Sequence, residues 1–427
     1  MNILLLGSGG REHAISFKIS QSKECTKLFI APGNGGTEDV GENIELKLND
    51  FKSIKDFSLS NNIQLIIVGP EEPLVNGIVD YFKSEKDCIA ISILGPDAEG
   101  AKLEGSKSWA KCFMQEFGIP TANYKEFDLN SRNEGVEYLK NCTIPIVLKA
   151  DGLAAGKGVV ITYDRLEAIE VFNQMLDGLF GVAGSKIVIE QFLDGIEFSV
   201  FALTDGKTYK LLPEAKDYKR IGEGDTGPNT GGMGAVSPVP FANENIMQKV
   251  IDQIIEPTMK GLNARNIDYR GFIFFGLILV NGEPFVIEYN CRMGDPETEV
   301  VFPRIKNDVL PFLFEAANGK FLSENIAFVD KFATTIMLVS EGYPGNYSKG
   351  IEINGLEHIK ESTVFHAGTE KSEGKLKTNG GRVMAITSFG ETIEEARQKS
   401  LDTASLIQYS GKNYRHDIGM DLIKLDF

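Results

Sequence analysis

Short apolar runs alternate with helix-length amphipathic stretches over the first hundred positions of this chain. Met1–Leu6 reads as a buried strand and Arg11–Ser22 as a helix; Leu28–Ala31, Gln64–Val68 and Ile89–Leu94 read as further strands, with helical stretches such as Val75–Ser84 between them. This alternation predicts a parallel α/β sheet. Ligands bind such sheets at the carboxyl ends of the strands, and those ends carry Gly7-Ser-Gly-Gly10, Pro32-Gly-Asn-Gly-Gly36, Gly69-Pro-Glu-Glu-Pro73 and Gly95-Pro96. Farther on, the apolar Ile144–Leu148 and the β-branched Val159–Tyr163 flank a glycine-rich tip, which predicts a flexible hairpin flap. Arg165–Asp177 suits a helix, Lys186–Leu193 a strand entering a connector, and Glu197 opens a strand that runs to Leu203. Pro213–Arg220, continuing into Gly222–Gly234, is too long and too polar for a simple turn and is expected as a structured loop. In Phe285–Asn290 the strand period turns Phe285, Ile287 and Tyr289 inward and leaves Glu288 and Asn290 together on the other face. The last hundred residues, from strand-like Phe332–Val339 to helical Ile393–Ile407, predict a small α+β domain with His366 and Arg382 in loops.

Size and charge narrow the choice of function. A chain of 427 residues with 42% hydrophobic content divides into several domains. Its 44 Lys and Arg against 60 Asp and Glu, a net charge of -16, speak against a nucleic-acid-coating or membrane-surface role. No apolar stretch approaches the roughly 20 residues of a membrane span, and Met1–Leu6 meets glycines without a basic leader, so a soluble cytoplasmic chain is expected. The five cysteines are scattered without a CxxC motif and read as reduced structural thiols.

The glycine-rich segments point to phosphate chemistry. Gly7-Ser-Gly-Gly10 lacks the third glycine of a dinucleotide fingerprint, where Glu12 stands, and the second strand ends in Pro32-Gly33-Asn34 instead of a ribose-gripping acid. Its backbone amides could still cradle a phosphate, or form only a tight turn. Lys149-Ala-Asp-Gly-Leu-Ala-Ala-Gly-Lys-Gly158 imitates a P-loop with the wrong spacing and no magnesium-binding hydroxyl. As a flap, it would bring Lys149 and Lys157 to nucleotide oxygens. Glu288 and Asn290 offer the oxygen ligands that a hard divalent cation takes beside substrate phosphates, although an amphipathic edge strand would show the same alternation.

Together, Gly7-Ser-Gly-Gly-Arg-Glu-His13, Gly69-Pro-Glu-Glu-Pro-Leu74, Leu103-Glu-Gly-Ser-Lys107, Lys149–Gly158, Gly224–Gly234, Arg292-Met-Gly-Asp-Pro-Glu297, Phe365-His-Ala-Gly-Thr369 and Tyr414-Arg-His-Asp-Ile-Gly419 resemble the phosphoribosylamine–glycine ligase family of the ATP-grasp superfamily. The resemblance implies a Rossmann-like N-terminal domain over residues 1–103, a two-lobed ATP-grasp domain over 104–325 with its lid at about 121–192, and a C-terminal α+β domain over 326–427. It implies a monomeric ligase of purine biosynthesis that joins glycine to 5-phosphoribosylamine through glycyl phosphate, using ATP and Mg2+ or Mn2+. Lys107, Lys149 and Lys157 would meet phosphates, Glu190, Gln191, Phe192 and Leu193 would hold adenine, and Glu197 would bind ribose. Glu288 and Asn290 would hold the metal. Asp217 would face the glycine ammonium, while Lys219, Arg220 and Arg292 would anchor its carboxylate or stabilise the transferring group, in exchangeable roles. Gly9, Gly10, Asn34, Glu71, Asp295 and Arg382 would line the phosphoribosylamine pocket, with the glycine amides on the ribose phosphate. Met293 stands where the family more often has leucine or phenylalanine, a tolerable exchange. The strand Gly271–Leu279 carries no acid, which leaves the number of metal ions open. The rivals are another ATP-grasp ligase, which the Gly224–Gly234 segment disfavours, and a nucleotide-binding regulator without turnover.

Overall fold

Apolar strands without polar alternation must be covered on both faces, and the N-terminal sheet meets that condition. A computed structural model of the chain describes residues 1–153, 158–322 and 325–424. Five parallel strands lie in the order Glu42–Asn43, Lys27–Pro32, Asn2–Gly7, Leu65–Val68 and Ser92–Pro96. Leu4 and Leu6 enter one core while Ile3 and Leu5 enter another on the opposite face. Two details differ from the sequence pattern. The fifth strand starts at Ser92, because Ile89 follows the short 3-10 turn Lys86–Cys88 and is exposed. The stretch expected as one helix from Val75 is two, Glu71–Val75 and Ile78–Ser84, because Gly77 takes φ +83, a conformation no helix continues through.

The sheet runs on past this domain. Ser92–Pro96 pairs antiparallel with Tyr269–Val280, which also pairs with Ile196–Thr204 and Glu283–Asn290. Tyr209–Asp217, Gly234–Ser237, Phe332–Ser340, Arg382–Gly390 and Thr363–His366 continue it into the C-terminal domain. Facing it is a separate four-stranded sheet, Tyr124–Asp128, Lys186–Gln191, Ile146–Ala150 and Val159–Thr162, backed by the helices Arg132–Asn141 and Arg165–Gln174. This lid has its own core around Phe127, Leu148, Phe172 and Ile189. The architecture is the expected one: α/β and α+β units, with a Rossmann-like sheet, a two-lobed middle bearing a hairpin flap, and a small C-terminal α+β unit. Lys157 lies outside the described residues.

Three local expectations are corrected. Pro213–Asp217 belongs to a strand, and part of the glycine-rich stretch after it folds as a hairpin of Arg220–Gly222 against Thr226–Asn229. In Glu283–Asn290, Leu277 pairs with Val286 but Gly276 with Glu288, so Ile287 is an extra, bulged residue. Val286 and Tyr289 therefore enter the core, while Phe285 and Ile287 are half-buried; a bulge reverses the faces that a strict period assigns. His366 and Arg382 are not loop residues but lie at the ends of two paired strands, His366 opposite Met384 and Arg382 two positions farther along.

Candidate active site

The lid and the long sheet meet along a seam of charge. Lys149, near the end of its lid strand, lies 3.0 Å from Glu190 and donates to the carbonyl of the bulged Ile287 at 3.1 Å. Lys111 approaches the same Glu190 oxygen at 3.2 Å. Burial lowers Lys111 to about 8, opposed by Glu190. The other Glu190 oxygen is buried with no hydrogen-bond partner among the described residues. Glu190, expected simply to help hold adenine, is thus first the counterion of two buried lysines. Sequence reading missed Lys111, although it lies one helical turn beyond Lys107 on Lys107–Glu116 and so shares its face. Lys107 itself reaches the Gly152 carbonyl at 3.4 Å, at the base of the flap. Burial lowers its ionisation, opposed by Glu288. Gln191 is tied to Asn123, and Phe192 and Leu193 are half-buried in the connector that follows.

A small cleft adjoins this seam. Glu197, Asp217, Lys219, Gly276 and Glu288 line it. Cross-strand pairing puts Ser199, Gly276 and Glu288 in one row, and the missing side chain at Gly276 leaves room beside Glu288. Lys219 lies 2.9 Å from Glu197, and both are partly open to solvent. Burial would lower Lys219, but Asp217, Glu197 and Glu288 outweigh it and hold its ammonium well above the ordinary range. Lys219 in turn pulls Glu197 down, while burial pushes Asp217 up. Behind them, burial and then Asp217 drive the hidden Glu297 up to about 8. Lys219 is thus the nearest cation to several acids, with Lys216 and Lys149 acting on Glu197 and Lys107 on Glu288 from farther off. Arg220 is not brought to the cleft: its guanidinium donates to the Gly227 carbonyl at 2.7 Å and braces the hairpin.

Glu288 and Asn290 fit a hard divalent cation. They are half-buried oxygen donors two residues apart beyond the bulge, and neither side chain has a hydrogen-bond partner among the described residues. An acid and an amide without protein hydrogen-bond partners suit a metal that completes its shell with phosphate oxygens and water.

The second region is the junction of N-terminal sheet, C-terminal domain and the loop after Asn290. Arg292 is held between Glu71 at 3.1 Å and Glu104 at 2.6 Å. Its fork thus meets two protein carboxylates. Burial raises Glu104, opposed by Arg292; its other oxygen accepts from the Cys291 amide at 2.8 Å. Glu104 went unassigned although it sits inside the Leu103–Lys107 motif.

The Gly9 amide, expected on a ribose phosphate, donates instead to Glu12 at 2.6 Å, and Glu12 pairs with Arg11. The residue that spoils the dinucleotide fingerprint thus folds back as a helix cap. Asn34 is likewise occupied: its amide nitrogen donates to the carbonyls of Ser8 and His366 at 2.9 and 2.8 Å, and its oxygen accepts from Gly36 and Thr37. Asp295 meets Arg382 at 2.9 Å, and Arg382 also donates to the carbonyls of Gly231 and Asp295. His13 and His366 are buried together, the His366 amide donating to His13 Nδ1 at 2.8 Å. Burial lowers them to about 3 and about 4.

Two facing antiparallel sheets, with Lys149 from the lid and Lys107 and Lys111 from the helix Lys107–Glu116 gathered opposite the strand that carries Glu288 and Asn290, are the arrangement of an ATP-grasp enzyme. Domain models of phosphoribosylglycinamide synthetase match in chain order: the N domain over residues 1–104, the ATP-grasp (A) domain over 105–298 and the C domain over 333–421. The chain belongs to the phosphoribosylglycinamide synthetase family. It is 46% identical to the phosphoribosylamine--glycine ligase of Haemophilus influenzae over 426 residues, covering 98% of each chain. With that of Pasteurella multocida it shares 44% over 424 residues, 98% of this chain and 97% of the relative. The crystal structure of the Thermotoga maritima phosphoribosylamine--glycine ligase superposes with a TM-score of 0.85 at 36% identity, over 98% of this chain and all of that one.

Proposed function

We propose that this chain ligates glycine to 5-phosphoribosylamine in purine biosynthesis, consuming ATP and releasing ADP and phosphate. A glycine carboxylate oxygen attacks the γ-phosphorus and ADP departs, giving glycyl phosphate. The ribosylamine nitrogen then attacks the acyl carbon, the C–O bond to phosphate breaks, and the amide forms as nitrogen gives up a proton. The cleft lined by Glu197, Asp217, Lys219 and Glu288 beside the lysine seam carries this reading. Asp217 and Glu197 there suit an ammonium, Lys219 a carboxylate or a transferring phosphoryl group, and Lys107 and Lys149 the phosphates on the seam. Positioning and charge stabilisation of this kind need no side-chain nucleophile. Glu288 and Asn290 would hold Mg2+ or Mn2+, which would offset phosphate charge.

The junction holding Gly9, Gly10, Asn34, Glu71, Asp295 and Arg382 serves as the ribosylamine side. In it Arg292 acts as the tie between Glu71 and Glu104, and Asn34 shapes the wall through the backbone it holds. Divisions near residues 103 and 325 separate three units that share one sheet. A single chain supplies both regions, which is the support for an enzyme acting as a monomer; no helix among the described residues is long and apolar enough to cross a membrane.

The test uses glycine labelled with oxygen-18 in its carboxylate, with ATP and freshly generated phosphoribosylamine. One labelled oxygen should appear in the released phosphate. Unlabelled phosphate rejects the acyl-phosphate route, turnover only with a different carboxylate substrate favours another ATP-grasp ligase, and no turnover favours a regulator.

A further inference from the structure

Beneath the turn that starts the first helix lies a carboxyl group for which the reaction has no use. Glu299 is wholly buried, and neither of its oxygens receives a hydrogen bond from a donor among the described residues; Asp295 Oδ1 receives none either and meets only the ion pair with Arg382. The two acids, four residues apart, converge on the same Gly9–Gly10 turn, within reach of one another should either carry a proton. A buried carboxyl pair cannot hold two negative charges, and a single shared proton satisfies both. The neighbours decide which acid keeps it. Asp295 has two cations, Arg382 at 2.9 Å and the Arg11 guanidinium nearby, and accepts from the Arg11 backbone amide at 3.4 Å. Glu299 faces the acids Asp295 and Glu297 and shares only Arg382. Burial and then Asp295 accordingly push Glu299 well above the carboxylate range, whereas Arg382 and Arg11 overcome burial and hold Asp295 below it.

The pair is also the floor of the glycine turn. A Cβ on Gly10 would fall 2.2 Å from Glu299 Oε1, and one on Gly9 would fall 2.9 Å from Asp295 Oδ2. Both positions must therefore be glycine for the turn to rest on the two acids. On its far side Arg382 reaches the Gly231 carbonyl at 2.6 Å, so one residue links the acid pair to the glycine-rich segment.

We propose that Glu299 is a neutral carboxylic acid that donates a hydrogen bond to ionised Asp295 and thereby positions Asp295 and Arg382 against phosphoribosylamine. It is a positioning residue. The inference rests on the reaction proposed above, and wild-type turnover in the same assay tests that reaction separately.

Glu299→Gln keeps a neutral donor of equal reach, whereas Glu299→Leu removes it. The KM for phosphoribosylamine should stay within about threefold in the first variant and rise about tenfold or more in the second, the size expected for a lost bond to a charged acceptor. The KM values for ATP and glycine should not move in either. Infrared difference spectra at neutral pH should show a protonated carboxyl band in the wild type that vanishes in Glu299→Gln. A Gln variant as impaired as the Leu variant, a Leu variant with unchanged KM, or a missing band would each overturn the proposal. If Glu299→Leu does not fold, Asp295→Asn decides: a hydrogen bond from neutral Glu299 to a charged acceptor is weakened when the acceptor becomes neutral, so the protonated carboxyl band should move to higher frequency, and an unmoved band counts against the proposal.

Discussion

The seam under the lid and the junction at the N-terminal sheet handle charge in opposite ways. At the seam and its cleft, Glu197, Asp217, Glu288 and Glu297 surround Lys219, and Glu288 and Asn290 keep oxygens free. At the junction the guanidiniums of Arg11, Arg292 and Arg382 each sit on a protein carboxylate, and Asn34 has spent both ends of its amide. The first region leaves the Glu288 and Asn290 side chains without protein hydrogen-bond partners among the described residues. The second is neutralised in advance, so its polar residues hold shape and present mainly backbone and fixed pairs. Motif residues in the first region should therefore govern turnover with little effect on folding, and those in the second should govern folding as well.

Arg292 offers the harshest way to break this contrast. Arg292→Met strands Glu104 and Glu71, and loss of one partner from a buried pair costs about 3–5 kcal/mol. Urea denaturation should show that loss, and an unchanged midpoint would mean the junction is not held by its ion pairs. Glu288→Gln should do the reverse, lowering ATP-dependent turnover roughly 100-fold by weakening metal and phosphate positioning. Its unfolding midpoint should barely move, and a large drop in stability with normal turnover would reverse the assignment.

The smallest effect is acid sensitivity of the His13–His366 contact. With ordinary values near 6.5 and native values of about 3 and about 4, the unfolded chain binds more protons between these limits. The stability due to neutral histidines is complete above pH 6.5 and is lost as pH falls toward 4, about 2 kcal/mol per histidine by pH 5. Other acids titrate over the same span, so the measurement is a difference. Stability lost between pH 7.5 and 5 should be smaller in His13→Gln than in wild type, and equal losses would remove the histidines from the interface's pH response.

Much of the seam was legible in sequence because its chemistry is local. Lys149 follows its apolar strand and Glu288 and Asn290 stand two apart, so a period and a residue type suffice to nominate them. Ile287 was misplaced because a bulge depends on how the neighbouring strand pairs, and a single extra residue reverses every face before it. Lys111 and Glu104 were passed over because a buried charge is recognised by its partner, and their partners are 79 and 188 positions away. Glu299 was hidden for the same reason, its meaning coming from Gly10, 289 positions earlier.

Taken alone, the order of apolar runs, glycine turns and short polar motifs determined the three-part architecture, the family and the residue types available for phosphate transfer, since each depends on neighbours within a few positions. Only the folded chain decided which lysine faces which acid, that Arg292 and Asn34 are already committed to protein partners, and which carboxyl must stay neutral. Burial and pairing arise between distant segments, and the ionisation of a side chain depends on what surrounds it.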